Sequence, residues 1–241
     1  MFKIIVVGGP AENYVDQCII SILNQIETDW EAQIIIDPID NSYDIAKKYE
    51  TKKIKIHKND IRQYALKNII SAINKLNPKD DDILVFIDLD DWLANRKVLS
   101  ILKNYYKNNN DLLITYGSWK AYPIEFNYPN NSKPYTENDF NIGIRNSEWK
   151  GTALRTMKYK LWKNIKNKDL KNKNGEYFKT AWDVAIMMPA LEMAGLKRSK
   201  FIEEILYIYN KITPFNDDKL YLNEQRANKN YICSLPSYRM L

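Results

Sequence analysis

The sequence predicts an α/β fold with a mixed, mostly parallel central sheet flanked by helices, and three observations carry that expectation. Short apolar runs alternate with longer helical patterns through the first hundred residues, the signature of βαβ units. A chain of 241 residues, 45% apolar, is long enough to bury one sizeable core. The run ILVFI at 83–87 is apolar on both faces, as a central strand of a parallel sheet must be. Taken in order, 2–7 reads as a strand. A helix over 12–25 follows, with Val15, Cys18, Ile19, Ile22 and Leu23 at helical spacing. Residues 32–36 form a strand ending at Asp37, 42–50 a helix capped by Ser42, and 54–57 a third strand. Ala65, Ile69, Ala72, Ile73 and Leu76 mark one face of a helix over 62–76. Beyond the central strand the spacing predicts a helix over 97–107 and a strand over 112–116. A polar connector over 127–146 is too long to be ordinary. Leu154, Met157, Leu161, Trp162 and Ile165 fit one face of a further helix. The last elements are a helix over 180–194, stopped by Gly195, and a strand over 201–209.

Composition excludes several classes. No apolar run approaches the roughly 20 residues of a membrane-spanning helix. The start MFKIIVVGG has no charged leader, apolar h-region or cleavage site, so a cytoplasmic protein is expected. Two cysteines, Cys18 and Cys233, make neither a disulfide framework nor a zinc cluster, and the single His57 excludes a His-rich metal site. Any metal must therefore be held mainly by oxygen. The net charge of +6 is unevenly spread: 13 basic and 4 acidic residues lie between Lys150 and Lys200, so that stretch is +9 and the remainder −3. A basic second half favours partners that carry anions, such as nucleotides, nucleic acid or a membrane surface. Against that stands an ordinary solvated face of lysines.

The chemistry concentrates in FIDLDDWL at 86–93. A dry strand runs into Asp88, Asp90 and Asp91, which places three carboxylates at the C-terminal sheet edge where open α/β folds bind ligands. Clustered anions there call for a compensating cation, and oxygen-only ligation points to Mg²⁺ or Mn²⁺ shared with substrate phosphates. One of the three, Asp91, could instead cap the next helix. An EF-hand beginning at Asp88 would need Gly and Glu where Leu93 and Leu99 stand. A D-x-D phosphatase expects Thr or Val where Trp92 stands, and that reading stays open as an alternative. P-loop and dinucleotide fingerprints are absent, since VVGGP completes neither. A sugar nucleotidyltransferase would carry a Gly- and Arg-rich first loop ending in Lys, unlike GGPAENYVD.

Four segments in order, SILNQ (21–25), IIIDPIDNSYDIAKKY (34–49), FIDLDDWL (86–93) and AWDVAIMMPALEMAG (181–195), resemble the GT-A (Rossmann-like) nucleotide-sugar transferases of glycosyltransferase family 2. The resemblance spans most of the chain. It implies one domain over 1–241, with 1–93 as the nucleotide-sugar half and 94–241 as the acceptor half and C-terminal tail. It further implies Asp37 at the nucleotide base with Asp40 in the same donor region, Asp88 at the ribose, Asp90 on the metal and Lys67 near the donor. Asp183 is the implied general base, although Thr180-x-x-Asp183 also reads as a capping box. Trp149, Lys150 and Arg155 follow the long connector, where the family closes over the donor, and either cation is placed to meet the diphosphate. Asp218, in PFNDD, is the candidate for completing the metal shell begun by Asp88 and Asp90, whereas His57 is read as structural. The implied reaction is inverting, metal-dependent hexosyl transfer from a nucleoside-diphosphate sugar, UDP-sugar foremost. The +9 stretch adds the expectation of a glycan or other anionic acceptor. The competing reading is an inactive GT-A-like module binding nucleic acid or a membrane surface.

Overall fold

A computed structural model of the chain describes residues 1–123, 125, 132–215 and 217–241, the side chains of Asp217 and Asp218 excepted. The elements in chain order are β1 (Phe2–Gly8), α1 (Val15–Leu23), β2 (Trp30–Ile36), α2 (Ser42–Lys47), β3 (Ile54–Lys58), α3 (Tyr64–Leu76) and β4 (Ile83–Asp88). They continue with β5 (Trp92–Leu93), α4 (Val98–Asn108), β6 (Ile114–Tyr122), α5 (Glu137–Asn141), β7 (Arg155–Lys158) and α6 (Tyr159–Trp162). The chain ends with α7 (Trp182–Ala194), β8 (Ser199–Asn210), α8 (Asp217–Leu220) and α9 (Leu222–Ser234).

The sheet order is β3-β2-β1-β4-β7-β6-β8-β5. Its first four strands are parallel, β7 runs antiparallel between β4 and β6, and β8 lies parallel to β6 and antiparallel to β5. This is the mixed, mostly parallel sheet that the alternating pattern predicts. Because side chains alternate along a strand, β1 feeds two cores. Ile4 and Val6 pack with Cys18, Ile19 and Ile22 of α1 on one face. Ile5 and Val7 pack with Leu66, Ile69 and Ile73 of α3 on the other. Among the described residues no helix is long and apolar enough to cross a membrane. Both cysteines are free thiols.

Several local expectations need correction. Residues 154–165 are not one helix: Arg155–Lys158 is strand β7, and only Tyr159–Trp162 is helical. The deciding contacts are tertiary, since Thr156 meets Thr115 at 2.6 Å and Tyr106 at 2.8 Å inside the sheet layer. Ser42 does not cap α2; Asn41 occupies the cap position, and the Ser42 N–H donates to Asp40 Oδ1 at 3.0 Å. Helices α1 and α3 start at Val15 and Tyr64, later than their apolar patterns predict. Of the 127–146 connector, 127–131 lie outside the described residues. The rest holds α5, entered through a capping box of Thr136 and Asp139.

Candidate active site

The C-terminal ends of β1, β2 and β4 bring Gly8, Asp37 and Asp88 to one sheet edge, at the floor of a cleft of about 340 Å³. The two glycines of VVGG serve close approach. A Cβ on Gly8 would come within 2.7 Å of Leu89 Cβ, and one on Gly9, whose φ is +117°, within 2.8 Å of the Asp37 carbonyl.

The carboxylate cluster is sorted by depth. Asp88 and Asp90 line the cleft and are partly exposed, while Asp91 is 1% exposed. Asp91 is not the cap of the next helix: it accepts the Asn210 N–H at 2.7 Å and a bond from the Tyr207 hydroxyl, which itself accepts the Asp88 N–H at 3.1 Å. Asp91 thus ties β4 to β8. Burial pushes the Asp90 carboxyl up to about 6. Burial, with the charges of Asp90 and Asp88, raises Asp91 well above the usual carboxylate range. Burial and the same carboxylates raise Cys18, whose thiol faces the Asp88 carbonyl at 3.8 Å, so this cysteine stays protonated and inert.

Asp37 lines the cleft but is 2% exposed, and its carboxylate is engaged by its own chain. Oδ1 accepts from Asn59 Nδ2 (2.8 Å), the Gln63 N–H (2.9 Å) and Asn68 Nδ2 (3.1 Å). Oδ2 accepts the Tyr64 N–H at 2.9 Å. It thereby anchors the start of α3, where Tyr64 adopts φ +62°, a conformation costly for a non-glycine residue. Asp40 does not line the cleft. It accepts the N–H groups of Ala11 (2.8 Å) and Glu12 (2.9 Å), bracing the β1–α1 loop. Burial works upward on Asp40, but the hydrogen bonds from Ser42, Glu12 and Ala11 outweigh it and hold the carboxyl below its usual range.

The cleft is also lined by Asp183, in the first turn of α7. The capping box is absent. Ala181, at φ +59°, holds the cap position without a side-chain bond, and Thr180 accepts from Asn228 Nδ2 at 3.0 Å instead. Asp183 Oδ2 is bonded by Arg155 Nη2 at 2.8 Å. Arg155 is fixed in turn by Nε donating to the Gly151 carbonyl (2.8 Å) and by the Trp182 ring 5.3 Å from its Cζ. Arg155 lines the cleft but is directed at Asp183.

Three other predicted residues lie elsewhere. Lys67 is exposed on α3 and Trp149 packs over Gly151; neither lines the cleft. Lys150 is buried in an ion pair with Asp139 at 2.6 Å and so is not available to a diphosphate. The side chain of Asp218 lies outside the described residues. His57 is structural, its Nε2 2.6 Å from Gln33 Oε1. The +9 stretch does not gather into one patch. Lys158, Lys160 and Lys163 pair with Asp80 and Asp81 ahead of β4, at the sheet edge away from the cleft, whereas Arg155 and Lys179 line it.

Sequence reasoning missed Arg62, Tyr64, Trp119, Lys179 and Tyr209, all of which line the cleft. The Tyr64 ring has two cations near it, Arg62 Cζ at 4.5 Å and Lys179 Nζ at 5.5 Å, and Arg62 Nε is buried without a hydrogen-bond partner among the described residues. Only the YIY alternation at 207–209, which puts Tyr207 and Tyr209 on one strand face, was available as a signal in the sequence.

Among the described residues no group of three or more His, Cys, Asp or Glu side chains forms a complete metal cage. Asp88 and Asp90 nevertheless fit a hard divalent ion that takes one or two carboxylates and completes its shell with phosphate and water. Burial of like charges at the cleft floor is what such an ion relieves.

Residues 4–172 match the family model described as glycosyl transferase family 2, and the chain belongs to that family. No curated protein gives a match. Among solved structures, residues 1–349 of S. aureus TarS in complex with UDP match with a TM-score of 0.64 at 17% identity, over 97% of this chain and 69% of that one. The TarS 1–349 complex with UDP-GlcNAc matches with 0.60 at 15% identity, over 87% and 58%. The mannosyltransferase PcManGT from Pyrobaculum calidifontis, in complex with GDP-Man and Mn²⁺, matches with 0.57 at 11% identity, over 86% and 56%. The fold is therefore GT-A, as the resemblance implies, and this chain spans less than two thirds of the latter two structures.

Proposed function

We propose that this chain is an inverting glycosyltransferase that moves a hexose from a nucleoside-diphosphate sugar, UDP-sugar foremost, to an acceptor hydroxyl. The observation that carries the reading is that one cleft is lined both by Asp88 and Asp90, at and just after the end of β4, and by Asp183, held by Arg155 at the start of α7. A single displacement needs both of these in one cleft, a group that stabilises the leaving group and a base.

Residues 1–93 take the nucleotide and 94–241 the acceptor. The nucleotide base lies against the Asp37–Tyr64 end, where Asp37 serves by fixing the backbone of residues 63 and 64. Asp88 meets the ribose. Asp90 and Asp88 would hold Mn²⁺ or Mg²⁺, which supplies charge neutralisation to the departing diphosphate. Arg62 and Lys179 add positive charge to the same cleft. The Asp183 carboxylate takes the proton of the acceptor hydroxyl as its oxygen bonds to the anomeric carbon. The bond from that carbon to the diphosphate oxygen breaks on the opposite face, which inverts the centre. Solved relatives in fold bind UDP, UDP-GlcNAc or GDP-Man, and one carries Mn²⁺; this supports a nucleotide-sugar donor without fixing the sugar.

Thermal melting against a panel of nucleoside diphosphates, with and without Mn²⁺, tests the proposal, because a ligand bound by the folded state alone raises the melting temperature. The expected result is a metal-dependent shift with UDP that disappears in Asp90→Asn. No shift with any nucleotide overturns it.

A further inference from the structure

A row of aromatic side chains leads away from the carboxylate cluster. Tyr207, bonded to the Asp88 N–H and to Asp91, is followed two residues on by Tyr209 on the same face of β8. Trp119 of β6 pairs in register with Tyr207, and its ring meets Tyr209 at 5.3 Å with planes at 88°. The β6–β8 register shifts at Gly117/Ser118 and Ser118/Trp119, an irregularity of the kind that re-aims side chains beside active sites. Phe215, 49% exposed, lines the same cleft from the turn after β8. Tyr207, Tyr209, Trp119 and Phe215 all line the cleft.

Among the described residues, the cations that line the cleft are engaged elsewhere than on these rings. Arg155 is bound to Asp183, and Arg62 and Lys179 flank Tyr64. Lys211 stands 4.4 Å from the Tyr209 ring centre and 5.9 Å from that of Trp119 and does not itself line the cleft. Rigid rings mounted on paired strands offer large contact area at small entropic cost, and their faces suit flat apolar surfaces. A pyranose ring presents such a surface in its axial C–H groups, while its hydroxyls remain free to reach polar neighbours. A flexible polyol phosphate presents none and needs cations instead.

Resting on the glycosyltransferase reading, we infer that Trp119, Tyr209 and Phe215 form an acceptor subsite for an uncharged pyranoside ring, delivering its hydroxyl toward Asp183. The test uses the full chain with UDP and Mn²⁺, titrated with methyl glycosides of glucose, mannose and N-acetylglucosamine, and with glycerol 3-phosphate as a ring-free anion. Binding is followed by tryptophan fluorescence and saturation-transfer NMR. At least one pyranoside binds and glycerol 3-phosphate does not. Trp119→Ala and Phe215→Ala each weaken that binding by about tenfold, whereas Trp119→Phe keeps it within about threefold. The UDP-induced melting shift stays that of the wild type in all three, which establishes that they fold. A wild-type chain that responds to UDP yet binds no pyranoside overturns the inference alone. So does equal pyranoside affinity in Trp119→Ala and Phe215→Ala, or binding of glycerol 3-phosphate in place of the pyranosides. Absence of any nucleotide response overturns the glycosyltransferase reading and this inference with it.

Discussion

Arg155 holds Asp183 by a 2.8 Å bond from Nη2 to Oδ2 while its guanidinium stacks on Trp182, the residue next to Asp183 in the chain. The arginine comes from β7 and the aspartate from α7, so the bond joins the sheet to the helix that carries the proposed base. A carboxylate with one oxygen committed and its helix fixed presents the other oxygen in a defined direction, although Oδ1 also accepts the Val184 N–H at 2.9 Å.

That geometry separates two variants. Asp183→Asn removes the proton acceptor, and kcat is expected to fall by about 10²- to 10⁴-fold with donor KM little changed. Arg155→Met leaves the carboxylate but loosens it, and kcat falls by about 10- to 100-fold. Steady-state kinetics on both variants check this. A rise in donor KM with constant kcat in Arg155→Met would return Arg155 to the diphosphate.

The carboxylate cluster sets a pH dependence for the metal-free protein. Burial lifts Asp90 to about 6 and raises Asp91 as well, so the folded chain binds these protons more tightly than the unfolded chain does. For a raised carboxyl the contribution to stability is present at low pH and is lost as pH rises from about 4 through about 6. In EDTA this cluster makes the protein more stable at about pH 5 than at about pH 7.5, and Asp90→Asn flattens the difference. Added Mn²⁺ stabilises more at the higher pH, where it has no proton to displace. Melting curves at the two pH values, with EDTA or Mn²⁺, decide it. A wild type and Asp90→Asn with identical pH dependence would sink the argument.

Asp37 is a stability residue as much as a cleft residue. Replacing it with Ala orphans two backbone N–H groups and takes one acceptor each from the Asn59 and Asn68 amides, which keep, among the described residues, only their mutual bond at 2.7 Å. A loss of about 3 kcal/mol is expected in denaturant unfolding, with Asp37→Asn losing less because one acceptor oxygen remains. A change below about 1 kcal/mol in Asp37→Ala would show that solvent replaces these bonds.

The parallel half was legible because each strand there is an apolar run closed by a polar residue: Asp37 after β2, Asp88 at the end of β4. Asp88, Asp90 and Asp183 all proved to line the cleft. The antiparallel half was not. Apolar residues at 154, 157, 161 and 165 fit a helix, and only the slot between β4 and β6 makes 155–158 a strand. Helix α9 escaped notice because its sequence is polar, and its anchor is remote: Arg145, bidentate to Glu192, also bonds the Ile232 carbonyl at 2.5 Å. The fate of each cation was likewise tertiary, since Lys150 and Arg155 are spaced by five residues yet one is locked to α5 and the other to α7.

Arg62 and Lys67 give the sharpest contrast between sequence position and role. Had α3 begun at Arg62, as its apolar pattern implies, both cations would lie on the helix. It begins instead at Tyr64, whose φ of +62° turns the chain so that Arg62 sits in the preceding turn and enters the cleft. Lys67, one turn into the helix, points to solvent. Arg62 Nε is buried with no hydrogen-bond partner among the described residues, a donor for which an arriving acceptor would compensate the desolvation. An anionic donor group supplies one, and a charge-assisted bond of that kind contributes about 1.5–3 kcal/mol. Arg62→Ala should therefore weaken UDP binding in the presence of Mn²⁺ by about 10- to 100-fold, while Lys67→Ala leaves it unchanged. Calorimetric titration of UDP into the two variants measures both affinities. The opposite ranking, with Lys67→Ala the weaker binder, would place the donor against the exposed face of α3 and remove it from the cleft.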